Sequence, residues 1–329
     1  MVILSTDPAE IEVGVVGIGL MGSSIIVSLL ASGHNVKAIA PIPADMENAW
    51  DRIAEQLQRC SRSGLLTEDV SACLQRLAIN EDYNSLKNCR LVLECVIEDI
   101  QIKSQVYRRI INVVSEDAVI ASNTSAISIG ILQKLVSNPG RFLGIHWAEP
   151  AYATRFMEIT CGEQTDSVFA EWVFNLAHHW AKEPTLLRKD IRGFITNRLM
   201  YAVYREIFNL TDSGVTTIDN ADKAFRYDVG SWITLMGLFR RLDYSGLDDY
   251  AQIFKTIFPK LSNTPAVPEV MQRIVDADGR GIKNLHGLYK YTGKEAEEWE
   301  TAFAAFNKDI FHLANLYPDP IPKKDKVIA

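Results

Sequence analysis

From Val13 to Val36 the chain carries no Asp, Glu, Lys or Arg, and Gly14, Gly17, Gly19 and Gly22 crowd the first half of that stretch. An uncharged run of this length could cross a bilayer. Glycines at this density, with Ser23, Ser24, Ser28, Ser32 and Gly33 behind them, argue instead for a buried strand, a glycine turn and a packed helix. Gly17-Ile18-Gly19-Leu20-Met21-Gly22 is then a GxGxxG element that follows an apolar strand and opens a helix. Its first glycine permits a tight turn, and its second lets a pyrophosphate approach the backbone. The third lets helix and strand pack closely, while the helix N-terminus offers unbonded N–H groups. Gly17, Gly19, Leu20, Met21 and Gly22 are therefore expected to bind a dinucleotide. A glycine-rich turn of purely structural use is the bland alternative.

Composition narrows the class. A length of 329 residues suggests two domains, and 47% apolar with 23% charged residues is ordinary for a globular chain. The net charge of −7 argues against nucleic acid as a partner. Residues 1–189 hold 16 basic and 22 acidic side chains, so the acidity sits in the half that must bind an anionic dinucleotide. Local backbone donors, not long-range steering, must hold it. The acidic start (Asp7, Glu10, Glu12) does not read as a secretory signal. Cys60, Cys73, Cys89, Cys95 and Cys161 are odd in number and form no CxxC pair, which predicts reduced thiols in a cytoplasmic protein and no metal site. No membrane association is expected.

Short apolar runs alternating with helical patterns predict an α/β fold, a Rossmann-type parallel-sheet domain followed by an all-α domain. Val13–Val16, Val36–Ile39, Leu91–Val96, Ala118–Ser122, Phe142–His146, Phe156–Thr160 and Pro184–Leu187 read as strands. The stretch from Asp45 to Leu77 (Trp50, Ile53, Leu57, Leu74, Leu77) reads as a helical hairpin broken at Ser63-Gly64. Further helices are predicted over Val168–Trp180, Gly193–Leu210, Val270–Ile274 and Trp299–Leu316. The domain boundary is placed near Lys189, giving a dinucleotide-binding domain over 1–189 and a helical substrate and dimerisation domain over 190–329. The Pro- and Lys-rich tail from Pro318 reads as an exposed extension. Trp50 and Trp180 are expected in packed positions, His178 and His179 on a helix surface.

The fingerprint lacks one part. An Asp or Glu normally ends the second strand and grips the adenosine ribose. Here that strand ends Ile39-Ala40-Pro41-Ile42-Pro43, with no acid until Asp45 and no Arg or Lys following that could hold a 2′-phosphate. NAD is preferred to NADP, which stays possible because Ala40 stands where the acid should.

Several further motifs occur in a fixed order. They are Glu94-Cys95-Val96-Ile97-Glu98-Asp99 with Lys103, Ser122-Asn123-Thr124-Ser125, Gly144-Ile145-His146 with Glu158 twelve residues on, and Gly193-Phe194-Ile195-Thr196-Asn197-Arg198. With the glycine turn they resemble the L-3-hydroxyacyl-coenzyme A dehydrogenase family over nearly the whole chain. The resemblance implies an NAD-dependent dehydrogenase and a homodimer. It makes His146 the general base, Glu158 its orienting carboxylate, and Ser125 and Asn197 donors to the reacting oxygen. It places Glu98, Lys103, Ser125, Glu149 and Lys283 at the cofactor, Lys283 within Lys283-Asn284-Leu285-His286-Gly287-Leu288-Tyr289. Taken singly, His146 or Glu158 would read as structural, Ser125 as a helix cap and Asn197 as a solvated helix residue.

The chain also departs from the family. Trp147-Ala148-Glu149-Pro150 puts a carboxylate where the family has a neutral Asn at the nicotinamide. Arg192 replaces a proline, and Gly237-Leu238-Phe239-Arg240 replaces a Gly-Pro-Phe-Glu turn. Where relatives that bind coenzyme A carry a Ser and a run of lysines, Gln56–Ser63 offers only Arg59 and Arg62, which together with Ser125 and Asn197 are the substrate candidates. The resemblance favours a 3-hydroxyacyl-CoA such as 3-hydroxybutyryl-CoA. A free 3-hydroxy acid, as in the similar L-gulonate and carnitine dehydrogenases, is the alternative. The rival from another class is a non-catalytic dinucleotide-binding protein, which Ala40 and Glu149 would suit.

Overall fold

The computed structural model describes residues 4–316; the tail from Pro318 lies outside them. The chain divides into two compact units, one ending at Asn197 and the other starting at Arg198.

The first unit is built on one eight-stranded sheet. Its strands are β1 (Glu12–Val16), β2 (Asn35–Ile39), β3 (Leu77–Asn80), β4 (Leu91–Glu94), β5 (Val119–Ser122), β6 (Phe142–Trp147), β7 (Phe156–Cys161) and β8 (Glu183–Leu187). They lie in the order β3-β2-β1-β4-β5-β6-β7-β8. All neighbours pair parallel except β6 and β7. The strand order reverses between β1 and β4, and in such sheets the crevice beyond the carboxyl ends at that point is the ligand site. β1 and β4 are buried almost throughout, which is why they read as continuous apolar runs.

The uncharged stretch resolves into β1, the glycine turn, the helix Leu20–Ala31 and the start of β2. That helix is buried from Gly22 to Leu30, so it needs no polar face and its apolar residues surround it. Its serines are satisfied locally: the Ser23 hydroxyl donates to Gly19 O (2.8 Å), and Ser24 Oγ accepts from Ala151 N (2.7 Å). No helix among the described residues is long and apolar enough to cross a membrane.

Two readings of the helical hairpin need correction. Its first helix, Ala49–Arg62, buries Ala49, Ile53, Leu57 and Cys60, whereas Trp50 is 46% exposed. Trp50 stands one residue, about 100°, off that stripe. Leu77 does not close the second helix, Val70–Gln75, but opens β3. This four-residue strand edges the sheet, too short to show alternation against the helical pattern before it. The Trp180 expectation holds, with 2% exposure and its ring stacked on Trp147. The first unit also continues past Lys189 to Asn197, tied down by contacts described below.

The second unit contains helices over Ile218–Ala224, Gly230–Ser245, Leu247–Ile257, Glu269–Asp276 and Gly293–Leu316, beside most of Thr196–Asp212. Gly237 interrupts one of them at φ 69°, a left-handed conformation that glycine takes without strain. Among the described residues from Arg198 onward only Gly279 is buried.

Candidate functional site

The glycine turn has the geometry of a dinucleotide cradle. Gly17 has φ 98°, and a Cβ there would stand 2.9 Å from the Cys95 backbone. A Cβ on Gly22 would lie 1.8 Å from Gly17 O, so this glycine lets the helix sit on the strand. A Cβ on Gly19 would meet nothing within 4 Å: that side of the turn is open. Gly19 caps the helix with no side-chain acceptor, so its first N–H groups face the opening unbonded by any cap. The residues present fit a pyrophosphate. Leu20 is 62% exposed at the mouth, and Met21 is packed against the core.

The end of β2 meets this turn, since Gly17 N donates to Ile39 O (2.9 Å). Ala40 follows, buried and without any group that could hold a ribose. The helical hairpin, however, returns a cation to the place: an Arg52 Nη2–H donates to Ile18 O in the turn itself. Arg52 escaped notice because it lies twelve residues past Ala40 and reaches the turn only through the fold.

A second cluster forms at the ends of β5, β6 and β7. β6 and β7 are antiparallel, and His146 pairs with Glu158 across the register, so their spacing in sequence becomes direct opposition on one face. Glu158 Oε2 lies 3.1 Å from His146 Nδ1, and His146 Nε2 lies 3.1 Å from Ser125 Oγ. Glu158 is 1% exposed, and its other oxygen accepts from Ile195 N (3.0 Å), Thr196 N (2.9 Å) and the Thr196 hydroxyl (3.2 Å). Burial alone would raise its pKa; the His146 contact and the Thr196 and Ile195 amides outweigh that and hold the carboxyl below its ordinary value. Those amide bonds also tie residues 195–197 to the first unit. Asn197 Nδ2 donates to Ser125 O (3.2 Å), which brings the four expected catalytic residues together.

Sequence reasoning missed the rings that hold the imidazole. Phe156 meets it edge-on at 5.4 Å and Phe194 tilts against it at 5.6 Å between centroids. It also missed Asp190, whose Oδ2 accepts from the Ser128 hydroxyl and from Gly130 N (2.8 Å) and so anchors the start of that segment. Phe194 belongs to a quoted motif and could have been found there; Phe156 carries no sequence signal beyond lying two residues before Glu158.

Glu98, itself exposed, and the buried Lys103 support the turn that carries Ser125. Lys103 is 1% exposed, with Nζ 2.7 Å from Glu94 Oε1 and 3.2 Å from Glu98 Oε2. Glu94 is further satisfied by the Tyr107 and Ser122 hydroxyls, each at 2.7 Å. Glu98 Oε1 accepts from the Thr124 hydroxyl (2.6 Å) and from Ser125 N (2.7 Å), fixing the turn that carries Ser125. Ser125 is therefore no helix cap; the next helix, Ile129–Gln133, starts after Ser128.

Glu149 is exposed on the loop beyond β6, its carboxyl raised by partial desolvation. Lys182 pins that loop from below, 2% exposed, donating to Ala151 O and Thr154 O; burial pushes its pKa down to about 7. Arg59 is paired with Glu55 one helical turn earlier, and Arg62 donates to Gln58 O (3.4 Å). No contact joins either arginine to Ser125 or Asn197. Lys283 stands exposed in the second unit, in the turn that Gly281 and His286 close.

Comparison with known proteins agrees with this geometry. Residues 12–191 match the family model of the 3-hydroxyacyl-CoA dehydrogenase NAD binding domain, and residues 193–291 that of the C-terminal domain. The chain is 29% identical to 5-formyl-3-hydroxy-2-methylpyridine 4-carboxylate 5-dehydrogenase of Mesorhizobium japonicum, over 87% of this chain and 92% of the relative. It is 30% identical to 3-hydroxybutyryl-CoA dehydrogenase of Mycobacterium tuberculosis, over 85% of this chain and 98% of the relative. Among solved structures it resembles a 5-formyl-3-hydroxy-2-methylpyridine 4-carboxylic acid 5-dehydrogenase, described as an NAD+-dependent dismutase. The TM-score is 0.84 at 28% identity, covering 93% of this chain and 98% of that one. Matched along both of its units, and carrying a fitting glycine cradle, the chain belongs to the 3-hydroxyacyl-CoA dehydrogenase family and is an NAD-dependent oxidoreductase.

Proposed function

We propose that His146 is the general base of a hydride transfer between a substrate hydroxyl carbon and nicotinamide. Glu158, ionised and anchored by three donors, accepts the Nδ1 hydrogen, which leaves the Nε2 lone pair facing Ser125. Nε2 takes the substrate hydroxyl proton, and Glu158 stabilises the imidazolium that results. Phe156 and Phe194 keep the ring in plane and exclude water. Ser125, and the Asn197 N–H not used on Ser125 O, donate to the reacting oxygen. Bound NAD supplies the hydride acceptor. Lys103 acts through Glu98, positioning the Ser125 turn, and does not touch substrate.

The observation that carries this reading is the unbroken Ser125–His146–Glu158 chain of contacts. A protein that only binds dinucleotide has no use for a base and its orienter, which sets aside the non-catalytic rival. In NADH-oxidation assays with a keto substrate, His146→Ala is expected to lower kcat about 10²- to 10⁴-fold. Undiminished activity would overturn the mechanism.

For the substrate, we favour a small free acid over a coenzyme A ester. Arg59 is occupied by Glu55, the first unit is acidic, and the solved enzyme that the chain resembles at a TM-score of 0.84 is named for a pyridine carboxylic acid. The ester remains the second reading, favoured by the family match and the Gly287-Leu288-Tyr289 run. Turnover of acetoacetate and of aromatic formyl-carboxylates without turnover of acetoacetyl-CoA is the expected pattern; the reverse would assign the ester.

We also propose a homodimer joined through the second unit. Its helices leave an open, mostly apolar cleft of about 1750 Å³ lined by residues such as Tyr204, Phe208, Met271, Trp299 and Phe306. Light scattering after size exclusion is expected to give twice the chain mass; a monomer alone would refute it.

A further inference from the structure

We infer that Arg52 reads the adenosine ribose, and that this chain therefore binds the 2′-phosphorylated cofactor, NADP(H), at least as tightly as NAD(H). The inference rests on the dinucleotide cradle and not on the proposed substrate.

Three observations converge on one spot. The end of β2 and the glycine turn are joined by the Gly17 N to Ile39 O bond, so Ala40 and Ile18 border the same opening. In this fold the ribose sits there, held by an acid when its 2′ position is a hydroxyl and met by an arginine when it is a phosphate. Ala40 removes the acid and with it the repulsion a phosphate would feel. Arg52 then enters from the helix Ala49–Arg62 and bonds Ile18 O through Nη2.

The guanidinium is underused in that position. It has five N–H donors, of which a single hydrogen bond to the described residues employs one. Its Nε is buried with no partner, and so is Gln56 Oε1 one helical turn further along the same face. No carboxylate of the described residues forms an ion pair with it. Asp45 senses the guanidinium: burial raises the Asp45 carboxyl, and Arg52 opposes that rise. An unpaired, half-buried guanidinium fixed at one corner by a backbone carbonyl is preorganised for a bidentate phosphate contact. A mere staple between helix and turn would need neither the missing acid nor the spare donors.

The test measures binding, so it stands whether or not the proposed substrate is right. Kd values for NADH and NADPH are determined by titration calorimetry on the full chain. Wild type is expected to bind NADPH as tightly as NADH or more tightly. Arg52→Gln keeps a donor for Ile18 O and loses the charge, and should raise the NADPH-to-NADH Kd ratio at least about tenfold. Ala40→Asp, which leaves Arg52 in place, should move the ratio the same way by restoring the acid. Equal weakening of both cofactors in Arg52→Gln would overturn the inference and make Arg52 a structural staple. So would a wild type that prefers NADH tenfold or more, with that preference lost in Asp45→Asn, which would give the ribose to Asp45.

Discussion

The two units of this chain solve the problem of burial differently. In the first, Val13, Val15, Ile25, Ile26, Leu93 and Ile145 are fully buried around a sheet covered on both faces. In the second, helices that are amphipathic by sequence leave Leu235, Phe239, Trp299 and Phe306 between 56% and 84% exposed. Exposed apolar surface on this scale marks a face meant for a partner. The contrast teaches that the first unit carries its own stability and the whole Ser125–His146–Glu158 chain. The second leaves apolar side chains exposed, which the proposed homodimer would cover.

The largest test of that contrast compares equal truncations in the two units. Leu93→Ala on β4 should cost about 2–5 kcal/mol of unfolding free energy, as core leucines do. Leu235→Ala, at 56% exposure, should cost less than about 0.5 kcal/mol in chain dilute enough to be monomeric. Denaturant unfolding measures both, and equal losses would break the comparison.

A smaller effect is expected at the open cleft. Phe306→Glu puts a charge on the surface proposed to meet the partner, where desolvating it costs far more than leaving it in water. Size exclusion should show the variant as a monomer with its melting transition retained. A variant that remains dimeric would place the dimer contact elsewhere.

A pH-dependent effect is expected beneath the loop that carries Glu149. Burial holds Lys182 down to about 7, against 10.5 in the unfolded chain. Between those values the unfolded chain binds the extra proton, so stability rises with pH across this window, by at most about 1.4 kcal/mol per pH unit. Lys182→Met should flatten that rise, measured as unfolding free energy at pH 7, 8.5 and 10. An unchanged slope would mean that the ammonium is solvated.

Much of the first unit was legible because it obeys local rules. β1, the glycine turn and the buried helix each follow from residue type within one short stretch. The site motifs were legible as a set, since their order along the chain matches the order of strand ends at the crevice. β3 was not, because four residues at a sheet edge show too little period to outweigh the helix before them. Trp50 was misplaced because apolar spacing alone does not say which of two adjacent residues faces in.

The sequence by itself determined the α/β alternation, the cradle of Gly17, Gly19 and Gly22, and the motif set from which His146 and Glu158 are proposed as base and orienter. These depend on backbone conformations and side-chain types that residues impose locally. The tertiary structure alone decided that Lys103 is buried behind Glu98, that Phe156 and Phe194 clasp the imidazole, and that Arg52 returns to the turn beside Ala40. Each of those contacts joins segments far apart in the chain, and only the packing of helices on the sheet sets their distance.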